Sequence, residues 1–315
     1  MKTLKRLSVC TTVLATLALL TATAVAQSLR LPRPSQKASV MQTVGVTDIT
    51  ITYSRPGVKG RKIWGDPPAG AVGGTATLDD ARTRVKDAPI VPFGHVWRTG
   101  ANEATVFEVT DNVLINGQPL AAGKYSLHTL PGKDEWLVIF NSDAGQWGSF
   151  SYDEKKDVIR VKTKPEMVPD SQEWLMYSFD PVTENSARVN VRWEKLSVPF
   201  TVEVKDVKAL AVEKARATVA AAKPDDWSTR SQAAGFALQN KLNTEEAMQW
   251  LEQSIKIRET FGNMSLKART LAEQGKTAEA VAAGEKALQI GKAANANAVT
   301  LATFQKLVDE WKSKM

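Results

Sequence analysis

The sequence predicts a chain that is mainly β and then α, an antiparallel β-sandwich followed by a small helical domain. Three observations carry this. Between residues 40 and 206, alternating or β-branched runs recur at short spacing with turn residues between them and no helical period. After Asp206 the composition shifts to Ala, Glu, Lys, Leu and Gln. That second part also repeats at a 33-residue spacing, as stacked helix pairs do.

The N-terminus comes first. Lys2, Lys5 and Arg6 precede an apolar run over residues 7–20, and Ala24, Val25 and Ala26 supply the small residues of a cleavage site. Residues 1–26 therefore read as a secretory signal peptide, and the chain is expected to be exported, periplasmic or secreted, with no transmembrane anchor once the signal is cut. The only cysteine, Cys10, lies within that segment. The remainder is expected to hold no disulfide, thiol nucleophile or thiolate metal site. Residues 27–39 read as a linker.

Strands are expected at 49–53, 105–109, 125–130, 136–141, 158–163, 174–179, 187–193 and 198–204. Asn116-Gly117 marks a hairpin and Pro131-Gly132 a second turn. Residues 66–89, rich in Gly, Ala and Pro, read as an insertion whose loop covers whatever site its flanks build.

From 207 to 315 helices are expected. Gly235, Ala247 and Ser254 correspond to Ala268, Ala280 and Ala287, each pair 33 residues apart. Small residues at those points let paired helices approach closely. The period resembles that of tetratricopeptide repeats: two degenerate repeats, with flanking helices at about 207–223 and 296–313, form a small tetratricopeptide-like helical domain that offers a seat for a protein or peptide partner, or else a cap on the sandwich.

Charge excludes one class of partner. Lys plus Arg against Asp plus Glu is 3 to 0 over residues 1–26, 22 to 22 over 27–206 and 16 to 12 over 207–315, so the net +7 splits as +3, 0 and +4. A neutral β-rich part gives no reason to expect nucleic acid.

Residues 53–65 (YSRPGVKGRKIWG), 91–105 (VPFGHVWRTGANEAT), 115–141 and 146–161 carry long matches to a known pattern. Through them the β-rich part resembles, almost throughout, domain-of-unknown-function family 2911, found in exported bacterial proteins. The resemblance implies fold and export, and no reaction.

Chemistry must come from the residues. Arg55, Lys59, Arg61 and Lys62 place four cations in a Pro- and Gly-containing loop, and Arg98, Asn102 and Glu103 follow in the second signature segment. Guanidinium groups there suit a carboxylate, phosphate or sulfate; the alternative is that Arg55 and Arg98 pair with Glu103 and Asp66 or brace strand ends. Trp64 and Trp147, beside glycines at loop ends, are candidates for a sugar-like ligand, while Trp136 reads as core. The ligand-binding candidates are thus Arg55, Lys59, Arg61, Trp64, Arg98, Asn102 and Glu103.

His95 and His128 are the only histidines and the weak candidates for a metal. Glu103 and His128 are the candidates for acid-base roles in a hydrolase of envelope polysaccharide. No phosphate loop, serine elbow or dinucleotide fingerprint occurs, and no cofactor is expected. The leading expectation is a non-catalytic binding protein; a hydrolase and a purely structural envelope protein are the alternatives.

Overall fold

The computed structural model describes residues 31–67 and 87–315. The signal peptide and most of the insertion read from the sequence lie outside the described residues. Two antiparallel sheets are followed by six helices.

The larger sheet has the order β1-β2-β5-β8-β9-β10, built from Gln36–Val44, Thr47–Arg55, Thr105–Val109, Gly123–Leu130, Trp136–Asn141 and Asp157–Thr163. The smaller has the order β11-β12-β6-β7, from Glu166–Val182, Ser186–Glu203, Val113–Ile115 and Gln118–Leu120. A short parallel pair, β3 (Trp64–Gly65) and β4 (Val91–Pro92), joins the flanks of the insertion.

Period-two patterning decides which face is buried. In β2, Ile49, Ile51 and Tyr53 turn inward, while Asp48, Thr50 and Thr52 turn outward. The inner faces meet where Phe107 and Phe140 of one sheet pack on Phe200 of the other, with ring centroids 6.4 and 5.8 Å apart. Tyr53 and Tyr177 meet across the same gap at 4.5 Å. This is the expected sandwich.

The hairpin at Asn116-Gly117 forms between β6 and β7, with φ of 46° and 84° at its two central residues. Both angles lie where Asn and Gly are tolerated and branched residues are not.

Three elements differ from the sequence expectation. β1 begins at Gln36, inside the stretch read as linker. The runs 187–193 and 198–204 join into one 18-residue strand, β12. Its buried positions change phase from Ala187, Val189, Val191 and Trp193 to Val198, Phe200 and Val202, across Glu194 with φ of 54°. The left-handed residue there, opposite a register shift in β11 between Met167 and Gln172, turns one strand into an apparent pair. The run 174–179 is likewise part of a 17-residue strand, β11.

The helices are α1 (Val207–Ala221), α2 (Trp227–Gln239), α3 (Thr244–Ile257), α4 (Phe261–Glu273), α5 (Thr277–Ala293) and α6 (Ala298–Lys312). Asp206 caps α1 by accepting from the Ala209 amide at 2.9 Å, and Asp226 caps α2 through Thr229 at 3.0 Å. Thr260 and Asn263 form a capping box on α4. α2 pairs with α3 and α4 with α5, and the small residues Ala247, Ser254, Ala268, Ala280 and Ala287 are fully buried. Ser254 Oγ donates to the Trp227 carbonyl at 2.8 Å, and Asn263 Nδ2 donates to Ser254 Oγ at 3.1 Å, tying the two pairs together. The helices also dock on the sandwich. Lys214 of α1 donates to the Val46 carbonyl at 2.7 Å and forms an ion pair with Asp111 at 2.6 Å. Among the described residues no helix is long and apolar enough to cross a membrane.

Candidate functional site

The two signature segments meet through their tryptophans. The β3–β4 pairing carries Trp64 inward, where its ring stands edge-on to Trp97, Trp136 and Trp193 at 5.7, 5.3 and 5.7 Å. Trp97 and Trp193 stack at 5.8 Å. Trp136 is core, as its alternation suggested. Trp64, a sequence candidate for a sugar platform, packs on this core beside the other three indoles.

Beyond this cluster the segments present different surfaces. The cation-rich loop continues β2 onto the other sheet. Between Gln172 and Met176 the register of β11 opposes four steps to only two steps of β12, from Glu194 to Arg192, so β11 bulges. The chain at 56–58 pairs with that bulge: Val58 N donates to the Glu173 carbonyl at 2.8 Å and Leu175 N to the Pro56 carbonyl at 3.0 Å. Arg55 donates from Nε to the Leu175 carbonyl at 2.8 Å, so it braces a strand. Arg61 turns back on its own loop, donating to the carbonyls of Val58 and Gly57. Lys59 lies with Nζ 5.6 Å from the ring centre of Trp174, which is 39% exposed. Lys59, Arg61 and Lys62 are all exposed, and among the described residues none of them forms an ion pair with a carboxylate. The nearby Glu173 carboxylate accepts instead from the Lys59 backbone amide at 2.9 Å. Asp66 pairs with Lys133.

The second segment faces residues 146–149. Arg98 Nη1 donates to the Asn102 carbonyl at 2.9 Å, which also accepts from Gly148 N at 3.0 Å. Ala104 N donates to the Gln146 carbonyl at 3.1 Å, and Glu103 lies opposite Trp147 in an isolated antiparallel bridge. Asn102 Nδ2 holds the Ser35 carbonyl at 3.0 Å. Arg33 then reaches Glu103 Oε1 at 2.7 Å and lies 5.5 Å from the Trp147 ring centre. Burial alone would raise the Glu103 carboxyl, but the hydrogen bond and charge of Arg33, with the charge of Lys37, hold it below its ordinary range. A carboxylate so held accepts hydrogen bonds and keeps its charge, which is the opposite of what a general acid needs.

His128 lies on the outer face of the larger sheet, fully buried, with Nε2 3.2 Å from Ser126 Oγ and Nδ1 3.3 Å from Ser149 Oγ. Burial pushes its pKa down to about 4; Arg98 adds to this, and Asp157 and Asp143 oppose it. It is a neutral, enclosed imidazole. Beside it Asp157 accepts from Tyr152, Arg160 and Asn141 at 2.6, 2.6 and 2.8 Å. His95 bonds through Nδ1 to the Phe93 carbonyl at 3.1 Å. Among the described residues no group of three or more metal-ligating side chains gathers. Glu103 thus accepts from Arg33, whereas His128 meets Ser126 and Ser149.

Sequence reasoning missed Arg33 and Trp174. The first sits in a stretch read as linker, and the second in a strand whose bulge, invisible to alternation, turns it to solvent. Ser126, Gln146 and Ser149 around His128 were missed too, because isolated Ser and Gln carry no spacing signal.

No curated protein and no solved structure matches the chain. A family described as a protein of unknown function, DUF2911, matches residues 35–202, more than half of the 315-residue chain and nearly all of the sandwich. The chain belongs to the DUF2911 family.

Proposed function

We propose that this is an exported, non-catalytic binding protein whose sandwich recognises an anionic group through Lys59, Arg61 and Lys62, with Trp174 as the adjoining ring surface. One observation carries the reading: three exposed cations fall within four residues of one loop with no carboxylate ion pair among the described residues, and the guanidinium of one is already set by two carbonyls. A preset guanidinium loses less freedom when it binds a phosphate, sulfate or carboxylate. The indole suits a ligand that carries its charge on a sugar-like ring. The helical pairs, read as tetratricopeptide-like, are proposed as the seat of a protein partner. A groove of about 530 Å³ between them is lined by Met248, Glu252, Lys267 and Leu271.

The test is calorimetric titration with sulfated and phosphorylated oligosaccharides against their neutral counterparts. Binding to the charged set alone, weakened by salt and lost in a Lys59→Ala, Arg61→Ala, Lys62→Ala triple variant, supports the reading. Equal binding by parent and triple variant overturns it.

A further inference from the structure

The opposite charge preference is built at the other signature segment. Glu103 and Trp147 face one another across the bridge, one presenting a carboxylate and the other a half-exposed indole. Carboxylate plus aromatic face is the complement of an organic cation. That complement is filled from within the chain: the guanidinium of Arg33 lies over the ring and bonds to Oε1. Only one carboxylate oxygen is engaged. Glu103 Oε2 is buried and meets no hydrogen-bond donor among the described residues, so the fork-to-fork geometry of which Arg and carboxylate are capable is half used.

Three further hydrogen bonds set the receptor apart from a passing surface pair. Gly148 and Ala104 fix the bridge strands to Asn102 and Gln146. Asn102 also ties down Ser35, two residues after Arg33, and so delivers Arg33 to the receptor. All three side chains remain partly open, with Arg33, Glu103 and Trp147 near half exposure.

We propose that Glu103 and Trp147 form a receptor for a guanidinium group, occupied in this structure by Arg33 as a tethered stand-in, and that an arginine-bearing ligand binds there by displacing residues 31–35. The receptor is independent of the anion-recognising loop: its charge is opposite and it shares no residue with it. A tethered competitor weakens an outside ligand in proportion to the time it occupies the site. Removing the tether's cation should therefore raise affinity without adding a contact.

The experiment is calorimetric titration of the full chain and its Arg33→Ala variant with arginine amide, lysine amide and a short arginine-bearing peptide. The expected result is about tenfold tighter binding of arginine amide to Arg33→Ala than to the parent, with lysine amide weaker because an ammonium lacks the planar fork. Adding Glu103→Gln or Trp147→Ala should abolish that gain. A peptide that binds more tightly than the amide points to a partner chain as the source; equal binding points to a free small molecule. Folding is checked by the melting transition, and Arg33→Gln, which keeps the stem over the indole, replaces Arg33→Ala if the latter unfolds. No gain in either variant, or a gain that survives Glu103→Gln, overturns the proposal.

Discussion

Arg55 donates its Nε–H to the carbonyl of Leu175 across 120 positions of sequence, at 2.8 Å. A residue that composition alone offers to a ligand is thereby a brace between the end of β2 and the bulge of β11. Arg55→Ala leaves that part-buried carbonyl without its donor, and we expect a loss of about 1–3 kcal/mol in unfolding free energy, read by urea titration. Affinity for an anionic ligand should change far less than in the Lys59, Arg61, Lys62 variant.

Gly148 adopts φ of 63°, and a Cβ there would come within 2.9 Å of the Phe150 ring and 3.0 Å of Arg98 Nη1. Gly148→Ala therefore combines backbone strain with a clash, for which we expect about 1–3 kcal/mol of destabilisation by thermal melting. Trp147, its neighbour, should shift with it.

His128 gives stability a defined dependence on pH. With a folded pKa of about 4 against an ordinary 6.5, the unfolded chain takes up the proton first as pH falls. Stability is unaffected above about 6.5, declines through the window down to about 4, and levels off below it. The difference of roughly 2.5 units corresponds to about 3 kcal/mol. Denaturant titrations across that window should show the decline in the parent and a flatter profile in His128→Gln.

Lys214 joins the helices to the sandwich through Val46 and Asp111. Lys214→Ala leaves a largely buried carboxylate without its partner, and we expect a loss of about 1–2 kcal/mol together with faster amide exchange in α1, measured by mass spectrometry.

Much of the sandwich was legible because its strands alternate. The strands at 105–109 and 136–141 coincide with expectation, for each alternates between an apolar inner face and the opposite face and is bounded by turn residues. β1 was not legible: its inward face carries Ala38 and Val40 amid Gln, Lys, Ser and Thr, since an edge strand covers little core. β12 read as two strands because Glu194 resets its phase. The cation-rich loop was visible in composition, but the roles of its members were not. Arg55 and Arg61 differ in which carbonyls lie within reach: that of Arg55 belongs to β11, 120 positions away, and those of Arg61 to its own loop. The contact of Arg33 with Glu103, 70 residues apart, is equally non-local.

The indole cluster has an optical consequence. Trp64, Trp97, Trp136 and Trp193 are four of the nine tryptophans, held with neighbouring centroids under 6 Å apart in a fixed mixture of stacked and edge-on orientations. Transition dipoles that close and that rigid couple as excitons, so the sandwich carries its own chiroptical signal. Near-ultraviolet circular dichroism should follow the integrity of this centre, over the contribution of the helical Trp227, Trp250 and Trp311, in a range where the helix backbones that dominate the far ultraviolet are silent. The flanks of the insertion end at this cluster through β3 and β4, so any event that tugs on those flanks becomes readable as a change in ellipticity without an added label.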